Sequence, residues 1–289
     1  MVFLCRIYYL CTKIHTTLKK FLIRAVSGLA YAAAIVLSLI FCEAAFRLIV
    51  IVFAILGAYE IYNMLSHKNH AFDYRLAVDI GGCLAMMYAA KVDALWPVML
   101  YIVIRMIIQV FSKGEALSEI TRSGLVLMYV ALPLSALVAC LNFPGGSILI
   151  LIAFCFIWIS DTGAYMVGSL IGKHKMCPRI SPKKSWEGLC GGLALCGVIG
   201  FVLPSVAAAA GFPGAIPAFS AIEYALIGVA IGVLSTLGDL VESLIKRSVG
   251  VKDSGVFLPG HGGALDRIDS LLLVAPALLV IISCLMERQ

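Results

Sequence analysis

Apolar residues in this chain do not alternate with polar ones; they gather into long runs separated by short polar stretches. The runs fall at roughly 24–42, 46–63, 75–91, 94–111, 122–141, 147–168, 188–210, 222–242 and 270–287. Each is near the ~20 apolar residues that a helix needs to cross the hydrocarbon core of a bilayer. Backbone polar groups in hydrocarbon must be satisfied within the segment or within a closed barrel, and a barrel would show period-2 alternation. The pattern therefore predicts an all-α polytopic integral membrane protein with about nine transmembrane helices.

Composition agrees with that class. The 289 residues are 62% hydrophobic and only 13% charged, with a mean hydropathy of +1.04. A single soluble core could not hide so much apolar side chain. Most cysteines, among them Cys42, Cys83, Cys140, Cys155, Cys190, Cys196 and Cys284, lie inside apolar runs without CxxC spacing, and read as small packing residues. Met1 to Leu22 is basic but lacks a clean apolar stretch ending in a cleavage site, and reads as a retained amphipathic segment.

Positive charge sets the expected orientation. With the N-terminus inside, the cytoplasmic segments hold Arg6, Lys13, Lys19, Lys20 and Arg24; Lys68 and Arg75; Lys113 and Arg122; Lys173, Lys175, Arg179, Lys183 and Lys184; and Lys246, Arg247, Lys252 and Arg267. The opposite side holds Arg47, Lys91 and Arg288, and Arg105 sits within a span, where snorkelling or pairing with a neighbouring helix is expected. The prediction is N-inside and C-outside. The net charge of +6 is then largely a topological signature, and nucleic acid is not an expected partner.

The two halves differ. Residues 1–145 carry about five helices and few functional candidates, whereas residues 146–289 contain two basic, Gly/Pro-rich cytoplasmic loops, 169–187 and 243–269. In the first constellation, Ser160-Asp161-Thr162-Gly163, a carboxylate lies at membrane depth, where it normally faces a protein interior or a watered cavity. Its bland alternative is a helix-interface Asp satisfied by a hydroxyl. The second is the basic loop with Lys173, Lys175, Arg179, Ser181, Lys183, Lys184 and Ser185, framed by Pro178 and Pro182. It suits a polyanion such as a nucleoside triphosphate or lipid phosphate, or else is ordinary cytoplasmic decoration.

The third constellation runs from Gly238-Asp239 to Asp269. Continued as helix, Asp239, Glu242 or Ser243, and Lys246 share a face, and Asp266 and Asp269 lie one turn apart. Carboxylate oxygens placed so suit Mg²⁺ bridged to substrate phosphates. The glycines Gly260, Gly262 and Gly263 around His261 would let backbone approach a ligand. The bland alternative, a structural ion-pair network, leaves those glycines unexplained.

Here the chain resembles the phosphatidate cytidylyltransferases, or CDP-diacylglycerol synthases. The family's C-terminal signature is matched by Ser243, Lys246, Arg247, Lys252, Asp253, Gly255, Leu258, Pro259, His261, Gly262, Gly263, Asp266, Arg267 and Asp269, and the upstream DTGAY and SPKKSWEG segments also match. Ser185 stands where the family commonly has Thr, and Ala264 where it has a larger aliphatic residue. The motifs cover roughly residues 150–275.

The resemblance implies the reaction CTP plus phosphatidate giving CDP-diacylglycerol and pyrophosphate, Mg²⁺ and a second cation as cofactors, a homodimer, and a site facing the cytoplasm from a bacterial inner membrane. It implies Asp239 and Asp266 as metal carboxylates, with Asp269 at a second cation or just behind it; Asp161 either adds to the metal site or fixes a basic partner. Lys246, Arg247 and Arg267 would hold the triphosphate and the lipid phosphate. Ser181, Lys183 and Lys184 would lie on the CTP side, with Ser243, Lys252, Gly262 and Gly263 also binding substrate. His261 is either a phosphate donor or a structural hydrogen-bonder. A CTP-dependent lipid-alcohol kinase is the alternative enzyme, disfavoured by the HGGxxDRxD ending, and an ion-coupled transporter is the non-enzymatic one, disfavoured by the lack of repeat symmetry.

Overall fold

The computed structural model describes residues 25–65, 74–112, 115–211, 214, 216–255 and 262–286. The amphipathic segment expected before Leu22, and His261, lie outside the described residues. Helices occupy the apolar runs: α1 (Ala25–Phe41), α2 (Glu43–Leu65), α3 (Tyr74–Val92), α4 (Trp96–Phe111), α5 (Ala116–Cys140), α6 (Gly146–Ile171), α7 (Trp186–Ala209), α8 (Ala221–Ser248) and α9 (Leu265–Met286). Of these, α2, α5, α6, α7, α8 and α9 are long and apolar enough to cross a membrane, while α1 and α4 are shorter apolar helices. The molecule is thus an all-α integral membrane protein.

Local chemistry explains several boundaries. Ser220 opens α8 with a reciprocal capping box: its hydroxyl accepts from the Glu223 amide at 3.2 Å, and Glu223 accepts from the Ser220 amide at 2.8 Å. Within α5, residues Val126–Ala131 form a π-helical turn directly before Pro133. In a regular helix the proline ring would meet the carbonyl four residues earlier, and the wider turn relieves that clash.

Helices α6, α7 and α8 pack through small residues. The buried face of α7 is Gly188, Gly192, Cys196 and Gly200, spaced one turn apart. A methyl at Gly192 would lie 2.7 Å from the Ser160 carbonyl of α6, and one at Gly228 of α8 would lie 2.7 Å from the Cys196 carbonyl. Lipid offers no hydrophobic drive between helices, so close backbone approach supplies the packing. Helix α9 lies against both α8 and α5, which joins the C-terminal helices to the N-terminal ones.

Two expected loops are partly structured. Within 169–187, α6 continues to Ile171 and is followed by an antiparallel hairpin, β1 (Lys175–Cys177) with β2 (Ser181–Ser185), before α7 begins at Trp186. Within 243–269, α8 runs on to Ser248 and α9 starts at Leu265. Asp266 and Arg267 are therefore first-turn helix residues, Asp269 opens the second turn, and Ser243, Lys246 and Arg247 belong to the last two turns of α8.

Candidate active site

The charged residues of the C-terminal region converge where β2, α6, α8 and α9 meet. Lys184 reaches from β2 to α8, where its Nζ lies 2.8 Å from Asp239 Oδ2 and donates to the Thr236 carbonyl at 3.0 Å. Asp239 also accepts from the Ser243 hydroxyl one turn on, at 3.2 Å. On the next turn of α8, Lys246 Nζ lies 2.6 Å from Asp266 Oδ1 of α9 and 3.0 Å from Glu242 Oε2. The Glu242 carboxylate is buried beside this pair, which makes Lys246 a cation between two carboxylates.

Asp266 is held from two sides. Its Oδ1 takes Lys246, while its Oδ2 accepts from the amides of Gly263 at 2.7 Å and Ser254 at 3.2 Å. Gly262, at φ +79°, occupies the left-handed region that makes this turn. Asp269 accepts from the Ser270 amide at 2.6 Å.

Two cavities flank these residues. One of about 370 Å³ is lined by Asp161, Asp266, Arg267 and Asp269 together with Tyr31 and Trp158. The other, of about 450 Å³, is lined by Asp161, Lys175, Lys183, Lys184 and Thr236. Asp161 belongs to both, so this carboxylate, within the second half of α6, stands between the acidic and the basic wall. A larger hollow lies elsewhere: an open groove of about 1090 Å³ along α6 and α7, bordered by Val167, Ile171, Lys173, Lys175, Trp186 and Cys190. It contains none of the signature carboxylates, and Lys175 borders it as well as the basic cavity.

The expected residues separate into groups. Asp161, Lys183, Lys184, Asp266, Arg267 and Asp269 line the cavities. Asp239 and Ser243 lie behind the basic cavity through Lys184, and Lys246 is an internal counter-ion for two carboxylates. Gly262 and Gly263 form the turn before α9. Arg247 points away and donates to the Val251 carbonyl at 3.1 Å, closing the end of its own helix. Lys252 is exposed on the following loop, and Ser181 lies at the start of β2; neither is among the residues lining the two cavities.

Sequence reading missed Glu60. This buried carboxylate of α2 accepts from the amides of Ala264 at 2.7 Å and Leu265 at 2.9 Å, and from the Ser254 hydroxyl at 2.8 Å. Its signal was present, since an ionisable residue inside an apolar run is a functional candidate by default. Asp79 was missed too. It is fully buried and accepts from Tyr62, Tyr101, Ser123 and Arg105 at 2.7–3.2 Å, which supplies the helix partner expected for Arg105.

A membrane protein with an acidic and a basic cavity sharing one carboxylate is the class that fold and site define. A model described as "Cytidylyltransferase family" matches residues 22–285, and the chain belongs to that family. Among similar proteins, a phosphatidate cytidylyltransferase of Mycobacterium bovis is 39% identical over 175 residues, covering 60% of this chain and 54% of the relative. Proteins of the same name from Staphylococcus saprophyticus and Haemophilus influenzae are 45% and 42% identical, covering 46% and 45% of this chain and 48% and 44% of their own lengths. The matched part of the chain spans about half the length of these curated relatives.

Proposed function

We propose that the protein is a phosphatidate cytidylyltransferase. A phosphate oxygen of phosphatidate attacks the α-phosphorus of CTP, the bond from that phosphorus to the bridging oxygen breaks, and pyrophosphate leaves with that oxygen. Both reactants are anions and the nucleophile is already ionised near neutral pH. The chemical problem is therefore charge neutralisation and in-line placement. The observation that carries the reading is Asp161, common to a cavity lined with Lys183 and Lys184 and one lined with Asp266, Arg267 and Asp269. Two polyanions brought to adjoining cavities would meet there.

In this reading Lys183, Lys184 and Arg267 face the phosphates, while Lys246 holds Asp266 in place. The acidic wall offers hard oxygen donors of the kind Mg²⁺ prefers. Among the described residues no three His, Cys, Asp or Glu side chains form a metal-holding group by themselves. A cation at Asp266, Asp269, Asp239 or Asp161 would thus complete its shell with phosphate oxygens, the usual manner for Mg²⁺ at phosphoryl sites. When bound it would neutralise charge developing on the leaving pyrophosphate. The open groove beside Lys173 and Lys175 supports lateral access for a lipid.

The same reading includes nine spans with the N-terminus inside, a bacterial inner-membrane location, a site on the cytoplasmic face where CTP is available, and a homodimer. The dimer rests on the family resemblance alone. The test uses purified protein in liposomes with α-³²P-CTP, phosphatidate and Mg²⁺. Label should enter the lipid phase, and should be lost with EDTA and in Asp266→Asn. Lipid label from γ-³²P-CTP alone would make the protein a kinase, and Asp266→Asn retaining full metal-dependent activity would overturn the assignment of Asp266.

A further inference from the structure

The signature lies within α8, α9 and the loop between them, yet the residue that anchors the start of α9 comes from α2. A helix begins with amides that have no intrahelical acceptor, and its dipole favours negative charge there. At α9 the Ala264 and Leu265 amides go to Glu60 Oε1 and Oε2 respectively, from about two hundred residues earlier. Glu60 Oε2 also takes the Ser254 hydroxyl, whose oxygen lies 3.2 Å from Asp266 Oδ2. Ser254 has one hydroxyl proton and stands between two carboxylates. Its stronger contact with Glu60 leaves Asp266 Oδ2 to the Gly263 and Ser254 amides.

Glycines make this approach possible. A methyl on Gly255 would lie 2.6 Å from Glu60 Oε1, and one on Gly263 would lie 2.5 Å from Glu60 Oε2 and would also strike the Ser254 hydroxyl. Two signature glycines thus have a reason independent of substrate: they admit a carboxylate from the other half of the chain. Helix α9 carries Asp266, Arg267 and Asp269 on one cavity wall, so whatever fixes its first turn fixes all three.

We infer that Glu60 is a positioning residue for cytidylyl transfer, capping α9 from α2 and setting the aim of Asp266, Arg267 and Asp269. The inference rests on the proposed function for its kinetic consequence, whereas the cap can be tested without activity. Glu60→Gln keeps the size of the side chain, loses the charge and presents a donor where one amide needs an acceptor. Per folded enzyme in detergent, it should lower kcat by about tenfold to a hundredfold, the scale of a misplaced catalytic group. It should also raise the Mg²⁺ concentration for half activity, with a smaller change in KM for CTP. Amide hydrogen exchange of the 262–270 segment should be faster than in wild type.

Ser254→Ala removes one hydroxyl bond and keeps Glu60, so it serves if Glu60→Gln does not fold. It should show the same pattern in milder form. Unchanged exchange in the folded variants would remove the cap. Faster exchange with kcat and Mg²⁺ dependence unchanged would leave a structural cap and overturn the positioning role. A wild-type protein without cytidylyl transfer would overturn the proposed function and with it the kinetic role, while exchange would still decide whether Glu60 caps α9.

Discussion

Asp79 shows what a buried charge requires. It is the only carboxylate among the described residues with no exposed surface at all, and three hydroxyls and the Arg105 guanidinium point at it. Arg105 is satisfied in turn by Ser123 and Gln109, both at 2.9 Å. Removing one member of such a pair leaves the other charge buried and unpaired, typically a loss of about 3–5 kcal/mol. Asp79→Ala should therefore lower the thermal midpoint in detergent strongly, and Asp79→Asn, which keeps an acceptor, should do so less. A midpoint for Asp79→Ala equal to that of wild type would show that the cluster is not holding these helices together. Sequence left Arg105 to snorkelling or to pairing with a neighbouring helix and could not name the partner, because Asp79 lies 26 positions before it and Ser123 lies 18 after it. The same limit hid the partners of Glu60, more than two hundred positions away, whereas Asp239, Ser243, Glu242 and Lys246 were legible because one helix sets their spacing.

At the scale of elements, the six helices long and apolar enough to cross a membrane were readable because each is an extended apolar run. Their ends were less so: α8 runs on to Ser248 and α9 starts at Leu265, both inside the charged region, where Lys246 and Asp266 pair across the two helices. The contact face of α7 is a steric property, visible only once its neighbours are in place. Gly200 and Gly197 separate the two cases. A methyl at Gly200 would strike the Tyr224 carbonyl and lie 2.9 Å from Ala225 Cα, backbone that cannot yield. At Gly197 the nearest atom is the side-chain Cγ2 of Val229, 3.3 Å away. Overpacking a tight contact costs about 1–3 kcal/mol. Gly200→Ala should lower the unfolding midpoint and Gly197→Ala should leave it nearly unchanged; equal effects would mean that α7 and α8 do not pack through this stripe.

Across the whole molecule, interhelical contacts sort the chain's connections onto two opposite ends. At one end Arg75 at the start of α3 pairs with Glu119 near the start of α5 at 2.6 Å and donates to Ser112 after α4 at 2.8 Å, while Glu60 near the end of α2 meets the start of α9. At the other, Ser147 at the start of α6 donates to Glu43 at the start of α2 at 2.9 Å, and Asn142 after α5 donates to the Ala90 carbonyl of α3 at 2.8 Å. The first end is also where Lys183, Lys184, Lys246 and Arg267 lie, and the second carries few cations. Positive charge is retained on the cytoplasmic side, so the end bearing the candidate site should face the cytoplasm. Alkaline phosphatase, active only after export, should be active when fused after Asn142 and inactive when fused after Ser112, with a green fluorescent reporter giving the opposite pattern. The reverse result would put the cavities on the side that CTP does not reach. It would contradict the orientation and the proposed reaction together, since a nucleotide-dependent site needs both its charges and its substrate on the same face.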